Sequence, residues 1–306
     1  MKKILYPFAL LGLFFAGTTA SAQEALAEMP AHIQKETVVF AVKGDDTLRM
    51  DIYRLREDTG IQPVMMFQFG GSFWAGRRDR EMYSAYFRTI TEMGFTVASI
   101  DYRLGMKGRK YNLRTLTSKR DGLATAVQMA VEDLYSATDY LLERAARWRI
   151  DPDSILISGS SAGAISALQA DWVLKNRMPG SELLPEGFTY KGVIGFAGGI
   201  FSRRGGPKWE TGTPAPTLMF HGNKDRTVPY RTIRFFNIGM FTSKNLSRRM
   251  HRCGAEYVFI HLKGKDHQFG ANQAMSSGLM FTQWFLQEYI RSDNGRQVVF
   301  KAGEGF

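Results

Sequence analysis

The chain has 306 residues, with 40 Lys plus Arg against 29 Asp plus Glu, a formal charge of +11, 44% apolar residues and one cysteine. That apolar fraction over this length excludes a disordered chain and suffices for one large core. The basic residues are scattered in pairs and triplets between apolar runs, so no nucleic-acid partner is expected, and the lone Cys253 closes no intramolecular disulfide and builds no thiolate metal site.

Lys2 and Lys3 precede an apolar stretch from Ile4 to Phe15, and Ala20-Ser21-Ala22 supplies the small residues of a cleavage site before Gln23. Residues 1–22 therefore read as an export signal, which predicts a secreted or periplasmic protein. The apolar run is shorter than the roughly 20 residues a membrane span needs, and Pro7 interrupts it, so no stable membrane anchor is expected. Residues 23–36 form a polar lead-in, and 37–306 read as one catalytic-sized domain without a linker or repeat.

Two β-rich runs, Thr37 to Lys43 and Thr47 to Tyr53, flank the turn residues Gly44-Asp45-Asp46 and predict an antiparallel hairpin. Continuous apolar runs follow at Val64 to Phe69, Phe95 to Ile100, Ile155 to Ser158, Val193 to Ala197, Thr217 to Phe220 and Tyr257 to Leu262, the pattern of strands buried on both faces. Between them lie helix-length stretches. The clearest runs from Leu123 to Trp148, where Val127, Val131, Leu134, Leu141, Ala145 and Trp148 share one face. Strands alternating with helices predict an α/β fold: a mostly parallel central sheet with helices on both faces and the hairpin as antiparallel edge. In such sheets ligands sit beyond the carboxyl ends of the strands, so the loops there carry the candidate chemistry.

Gly159-Ser160-Ser161-Ala162-Gly163 follows one strand and opens a helix of small residues. A sharp strand-to-helix turn presents the central hydroxyl above the sheet beside a helix N-terminus, which makes Ser161 the candidate nucleophile and Ser160 the neighbouring alternative. A serine needs a base and a carboxylate to orient that base. Of the five histidines, His32 lies in the lead-in, His251 in a basic helical stretch and His261 inside a strand run, while His221 ends a strand and is expected to shape the next turn. His267 alone lies in a loop past the last apolar strand run and is the candidate base. Asp225, in His221-Gly222-Asn223-Lys224-Asp225, is the candidate acid, with Asp266 the runner-up. Gly70-Gly71-Ser72, after the strand from Val64, allows close approach of backbone N–H groups; those of Gly71, Ser72 and Ala162 are the candidate oxyanion donors. No metal or organic cofactor is needed for this chemistry.

With these elements in order, the chain resembles the α/β-hydrolase superfamily, and within it carboxylesterases related to hormone-sensitive lipase and to bacterial acetyl- and feruloyl-esterases. The resemblance rests on Phe69-Gly70-Gly71-Ser72-Phe73 where the family has H-G-G-G-F, on Asp101-Tyr102-Arg103-Leu104, on the serine motif, on His221-Gly222-x-x-Asp225 with Val228-Pro229, and on His267-x-Phe269. It covers about Thr37 to Ile290 and departs from the family at Phe69 and Ser72. It implies ester cleavage through an acyl-enzyme, with a small ester or an esterified glycan as substrate. A peptidase of the prolyl-oligopeptidase type and a non-catalytic hydrolase-fold binding protein are the alternatives. The segments Met178 to Tyr190 and Phe201 to Pro216 are short and rich in Gly, Pro and charge, which predicts an open site. Arg77, Arg78, Arg80, Lys107, Arg109, Lys110, Arg114, Arg203 and Arg204 all follow strand ends, which predicts a basic rim suited to acidic substrates.

Overall fold

A computed structural model describes residues 29–108, 116–210 and 212–303. The export signal, most of the lead-in, and Arg109, Lys110 and Arg114 lie outside these residues.

The opening hairpin forms from β1 (Ile33–Lys43) and β2 (Asp46–Leu55), paired antiparallel with an irregularity between Val39 and Ala41. It begins inside the expected lead-in because Ile33, opposite Leu55, is buried and tied into the core. The apolar runs become β3 (Gln62–Gln68), β4 (Thr96–Ile100), β5 (Ile150–Ser160) and β6 (Gly192–Phe196). β7 (Gly199–Ser202) leaves this series for a second sheet, and β8 (Thr217–Gly222) returns to it. The hairpin of β9 (Ile233–Phe235) and β10 (Ile238–Thr242), then β11 (Tyr257–Leu262) and β12 (Gln297–Ala302), complete the strands. The main sheet has the order β1-β2-β4-β3-β5-β6-β8-β11-β12, antiparallel for β1, β2 and β4 and parallel from β4 onward. The strands β4, β6 and β8 are buried along their whole length, which is why their sequences do not alternate.

Two separate helical layers flank the sheet. The helices α1 (Ser84–Glu92), α2 (Leu116–Glu143) and α3 (Ala162–Lys175) precede α4 (Ser243–Arg252). α2 packs on α3, and α3 on β3, β5 and β6; α1 packs on β2 and β4 and touches the helical stretch near the C-terminus. The expected helix ending at Trp148 is two pieces: α2 stops at Glu143, and a single turn, Ala145–Trp148, is closed by Arg149 at φ 48°. Val127, Val131, Leu134, Leu141 and Trp148 face inward as predicted, whereas Ala145 is only half-buried. No helix among the described residues is long and apolar enough to cross a membrane.

The sequence reading did not anticipate the second sheet, antiparallel β7-β10-β9. Its outer hairpin turns through Phe236-Asn237, with Phe236 at φ 49°. That position of a two-residue hairpin turn ordinarily favours glycine, so the local signature was absent.

Candidate active site

The carboxyl ends of β3, β5, β8 and β11 bring the candidate residues to one place. Between β5 and α3 the chain reverses at Ser161, held at φ 50° and ψ −111°, a left-handed conformation that a non-glycine residue adopts only under constraint. Two glycines supply the space. A Cβ on Gly159 would lie 2.3 Å from the carbonyl carbon of Gly163, and one on Gly163 would lie 2.0 Å from the backbone oxygen of Gln68. The Ser161 N–H donates to the carbonyl of Phe196 on β6 at 2.8 Å, anchoring the turn to the neighbouring strand.

From that turn the Ser161 hydroxyl is 2.9 Å from Nε2 of His267, and His267 Nδ1 is 2.7 Å from Oδ2 of Asp225. An Nδ1–H donating to the carboxylate leaves Nε2 free to accept the serine proton. Ser161 keeps 8% of its surface exposed, enough to be reached, while the Asp225 side chain is fully enclosed. The other Asp225 oxygen accepts the N–H groups of Thr227 and Val228, both at 2.9 Å. Burial alone would raise the pKa of this carboxyl; hydrogen bonds from His221 and His267, and their charge, outweigh it and hold the group down at about 2.

Both runners-up point elsewhere. The buried hydroxyl of Ser160 donates to the carbonyl of Ala271 at 2.6 Å, and exposed Asp266 accepts the N–H of Phe269 at 3.0 Å. His221 is fully buried, within 2.9 Å of both the Val228 carbonyl and the Ser243 hydroxyl, and 3.4 Å from Asp225. It therefore fixes the loop that carries the acid.

The loop after β3 holds Gly71 at φ 143° and Ser72 and Phe73 at φ 57° and 58°. At Gly71 a Cβ would meet the Ala75 oxygen at 1.7 Å, so glycine is required there. The N–H groups of Gly71, Ser72 and Ala162 have no acceptor among the described residues, whereas Gly70 N–H donates to the Tyr83 hydroxyl at 3.3 Å. Phe69, standing where the resembled family has histidine, is buried and stacked on Tyr102 at 4.4 Å, and the Tyr102 hydroxyl donates to the Phe69 carbonyl at 2.8 Å. An aromatic stack thus supports the loop from below.

An apolar cleft of about 490 Å³ opens at Ser161. Ser72, Phe73 and Ala162 form one end. Leu123, Ile165 and Phe201 line it as well, with Val228 and Pro229 and with Ile233, Phe235 and Met240 of the hairpin. Of the two segments expected to leave the site open, the second contributes Phe201 to this lining, and the β9–β10 hairpin adds Ile233 and Phe235, both exposed. Neither its turn nor the proximity of its apolar residues to Ser161 was visible locally in the sequence.

Among the described residues, none of the predicted basic residues lines this cleft. Arg77 and Arg80 border a separate cavity, Lys107 another, and Arg203 and Arg204 a third. Arg78 is corrected outright: it is largely enclosed, with Nη1 donating to Asp101 at 2.8 Å and Nε 3.0 Å from Asp51, so it is a tie within the fold and not a rim. Arg203 is committed to Asp121 at 2.6 Å. Among the described residues no cluster of three or more His, Cys, Asp or Glu offers a metal site.

The BD-FAE family model matches residues 50–182, the span from the opening hairpin through the serine turn. A probable isoprenylcysteine alpha-carbonyl methylesterase of Arabidopsis thaliana is 24% identical over 257 residues, covering 72% of this chain and 48% of that protein. Esterase B1 of Culex pipiens is 27% identical over 124 residues, 40% of this chain and 21% of that protein. The chain thus spans half or less of the length of these curated relatives. Among solved structures, the native esterase Est2 of Thermogutta terrifontis superposes with a TM-score of 0.62 at 21% identity, covering 85% of this chain and 94% of that one. Its propionate-bound form gives 0.62 at 22%, covering 85% and 96%. With a mostly parallel sheet and a serine at the β5–α3 turn, the chain has the α/β-hydrolase fold. Its sequence is similar to carboxylesterases within that fold.

Proposed function

We propose that the protein is a carboxylic ester hydrolase that works through an acyl-enzyme on Ser161. The observation that carries this reading is the relay from the Ser161 hydroxyl through His267 to Asp225, at 2.9 and 2.7 Å, opening into an apolar cleft. His267 takes the serine proton as Ser161 attacks the ester carbonyl, and Asp225 holds the imidazole and stabilises its charged form. The free N–H groups of Gly71, Ser72 and Ala162 receive the oxyanion. His267 then protonates the leaving alcohol, and water releases the acid by the same steps in reverse. Ser161→Ala should lower kcat on p-nitrophenyl acetate by about 10⁴-fold or more and abolish labelling by a fluorophosphonate. Retained turnover or labelling would overturn the assignment.

The apolar lining suits esters with an uncharged arm. The Thermogutta esterase has been solved with propionate and with butyrate bound, and in a form phosphorylated by paraoxon, which supports short acyl groups and a reactive serine here. Export directed by residues 1–22 would bring this chemistry to acetyl or feruloyl esters on glycans. Secreted protein starting at Gln23 that releases acetate or ferulate from esterified polysaccharide is the expected outcome; cell-retained protein, or activity on simple esters alone, would remove this part of the reading.

A further inference from the structure

The wall of the cleft formed by Leu123 and Ile165 continues past the cleft. Leu123, Val127 and Val131 lie four residues apart on α2, and Ile165 and Gln169 four apart on α3, so each set shares one helix face along the groove where the two helices meet. Leu123 and Ile165 line the cleft at Ser161. One turn further on, Val127, Val131, Gln169 and Trp172 line a second cavity of about 320 Å³. Among the described residues, one borders both spaces: Phe201 on β7. It is half-buried, sits opposite Met240 of the cleft in the β7–β10 pairing, and its N–H donates to the Gln169 side chain at 3.0 Å. The Phe201 backbone is thus held where its side chain lies between the two spaces, the second of which mixes apolar residues with Glu132, Arg203 and Arg204 in its lining.

We propose that Phe201 is a specificity-determining partition, and that the cavity behind it is a second subsite for the far end of an elongated apolar arm of the ester. This inference rests on the ester-hydrolase reading. With the ring in place the first cleft ends at Phe201 and short arms are favoured; without it the two spaces join along the α2–α3 groove. Each methylene that gains an apolar wall is worth roughly tenfold in kcat/KM, so several added carbons produce a large change in preference.

The test compares kcat/KM for two substrate series in the parent and in Phe201→Ala: p-nitrophenyl esters from acetate to dodecanoate, and acetates of alcohols from methanol to decanol. The first series places the subsite on the acyl side and the second on the alcohol side. Phe201→Ala should raise the ratio of ten-carbon to two-carbon substrate by about tenfold or more in one series. Refilling the second cavity in the same background with Ala124→Leu should return the profile to the parent's, because Ala124 lines that cavity and not the cleft. Should Phe201→Ala fail to fold, Phe201→Leu is expected to shift the profile in the same direction by less. Active, folded variants whose profiles match the parent in both series overturn the partition. Parent and variants all inert toward acetate, and unlabelled by a fluorophosphonate, would overturn the ester-hydrolase reading itself.

Discussion

Asp225 shows how a single side chain gathers its role from the fold. Its carboxylate accepts two backbone N–H groups and the His267 ring, with His221 buried alongside, and this holds it ionised down to about pH 2. In the unfolded chain the same group titrates near 3.9. A pKa lower in the folded state means that its contribution to stability is complete above about pH 4 and is lost as pH falls from there toward 2. Asp225→Asn should therefore be less stable than the parent at pH 7 in urea denaturation, with the difference narrowing as pH approaches 2.5. A difference that widens toward low pH would contradict this. Ser161, Asp225 and His267 were legible as candidates because each follows an apolar strand run. What separated Ser161 from Ser160, and Asp225 from Asp266, was direction. The hydrogen bond of Ser160 to Ala271 depends on chain segments that meet only after folding, while Asp266 is occupied locally by the Phe269 N–H.

At the scale of elements, the strands most legible in sequence were those enclosed on both sides, since burial forces an unbroken apolar run. The elements of the second sheet were hidden for opposite reasons. In β9, Ile233 and Phe235 are exposed apolar residues, which the usual inside-outside contrast does not mark as a strand. The strand β7 has four residues and follows β6 after only two, so it reads as that strand's tail. The aromatic turn residue Phe236 replaces the expected glycine. Edge strand β12 was missed because it is mostly exposed and gains its place by pairing with β11. By contrast, Gly159 and Gly163 were readable as a pair, and the structure supplies the reason: each occupies a point where a side-chain carbon would overlap backbone.

Across the whole molecule, the positive charge is drawn partly inward. Lys43 and Arg103 both meet the fully buried Asp133, at 2.9 Å each, and Lys35 and Arg78 meet the fully buried Asp51, at 2.9 and 3.0 Å. These partners are separated in the chain, so position after a strand end, which placed Arg78 on the expected rim, does not reveal such ties. A further buried acid behaves differently. Asp171 on α3 is enclosed, and burial raises its pKa to about 6, offset in part by Lys175 and by the Ala215 N–H. A carboxyl raised in the folded state opposes folding once the unfolded form ionises, so this group's effect on stability worsens as pH rises from about 4 to about 6. Asp171→Asn should accordingly be more stable than the parent at pH 8, by about 3 kcal/mol, with the gain fading by pH 4. Equal melting temperatures at both pH values would refute this.

The tie made by Arg78 joins distant parts of the chain. Its guanidinium reaches Asp51 on β2 and Asp101 after β4, while its own carbonyl accepts the Ser99 hydroxyl at 2.8 Å. The loop that presents Gly71 and Ser72 is therefore moored at its exit to the first hairpin of the fold. That hairpin looks like an ornament on the sheet's edge, yet it acts as a buttress for the groups proposed to receive the oxyanion. Shortened forms of the protein that begin after β2 would lose that mooring, so their catalysis would suffer separately from any loss of sheet.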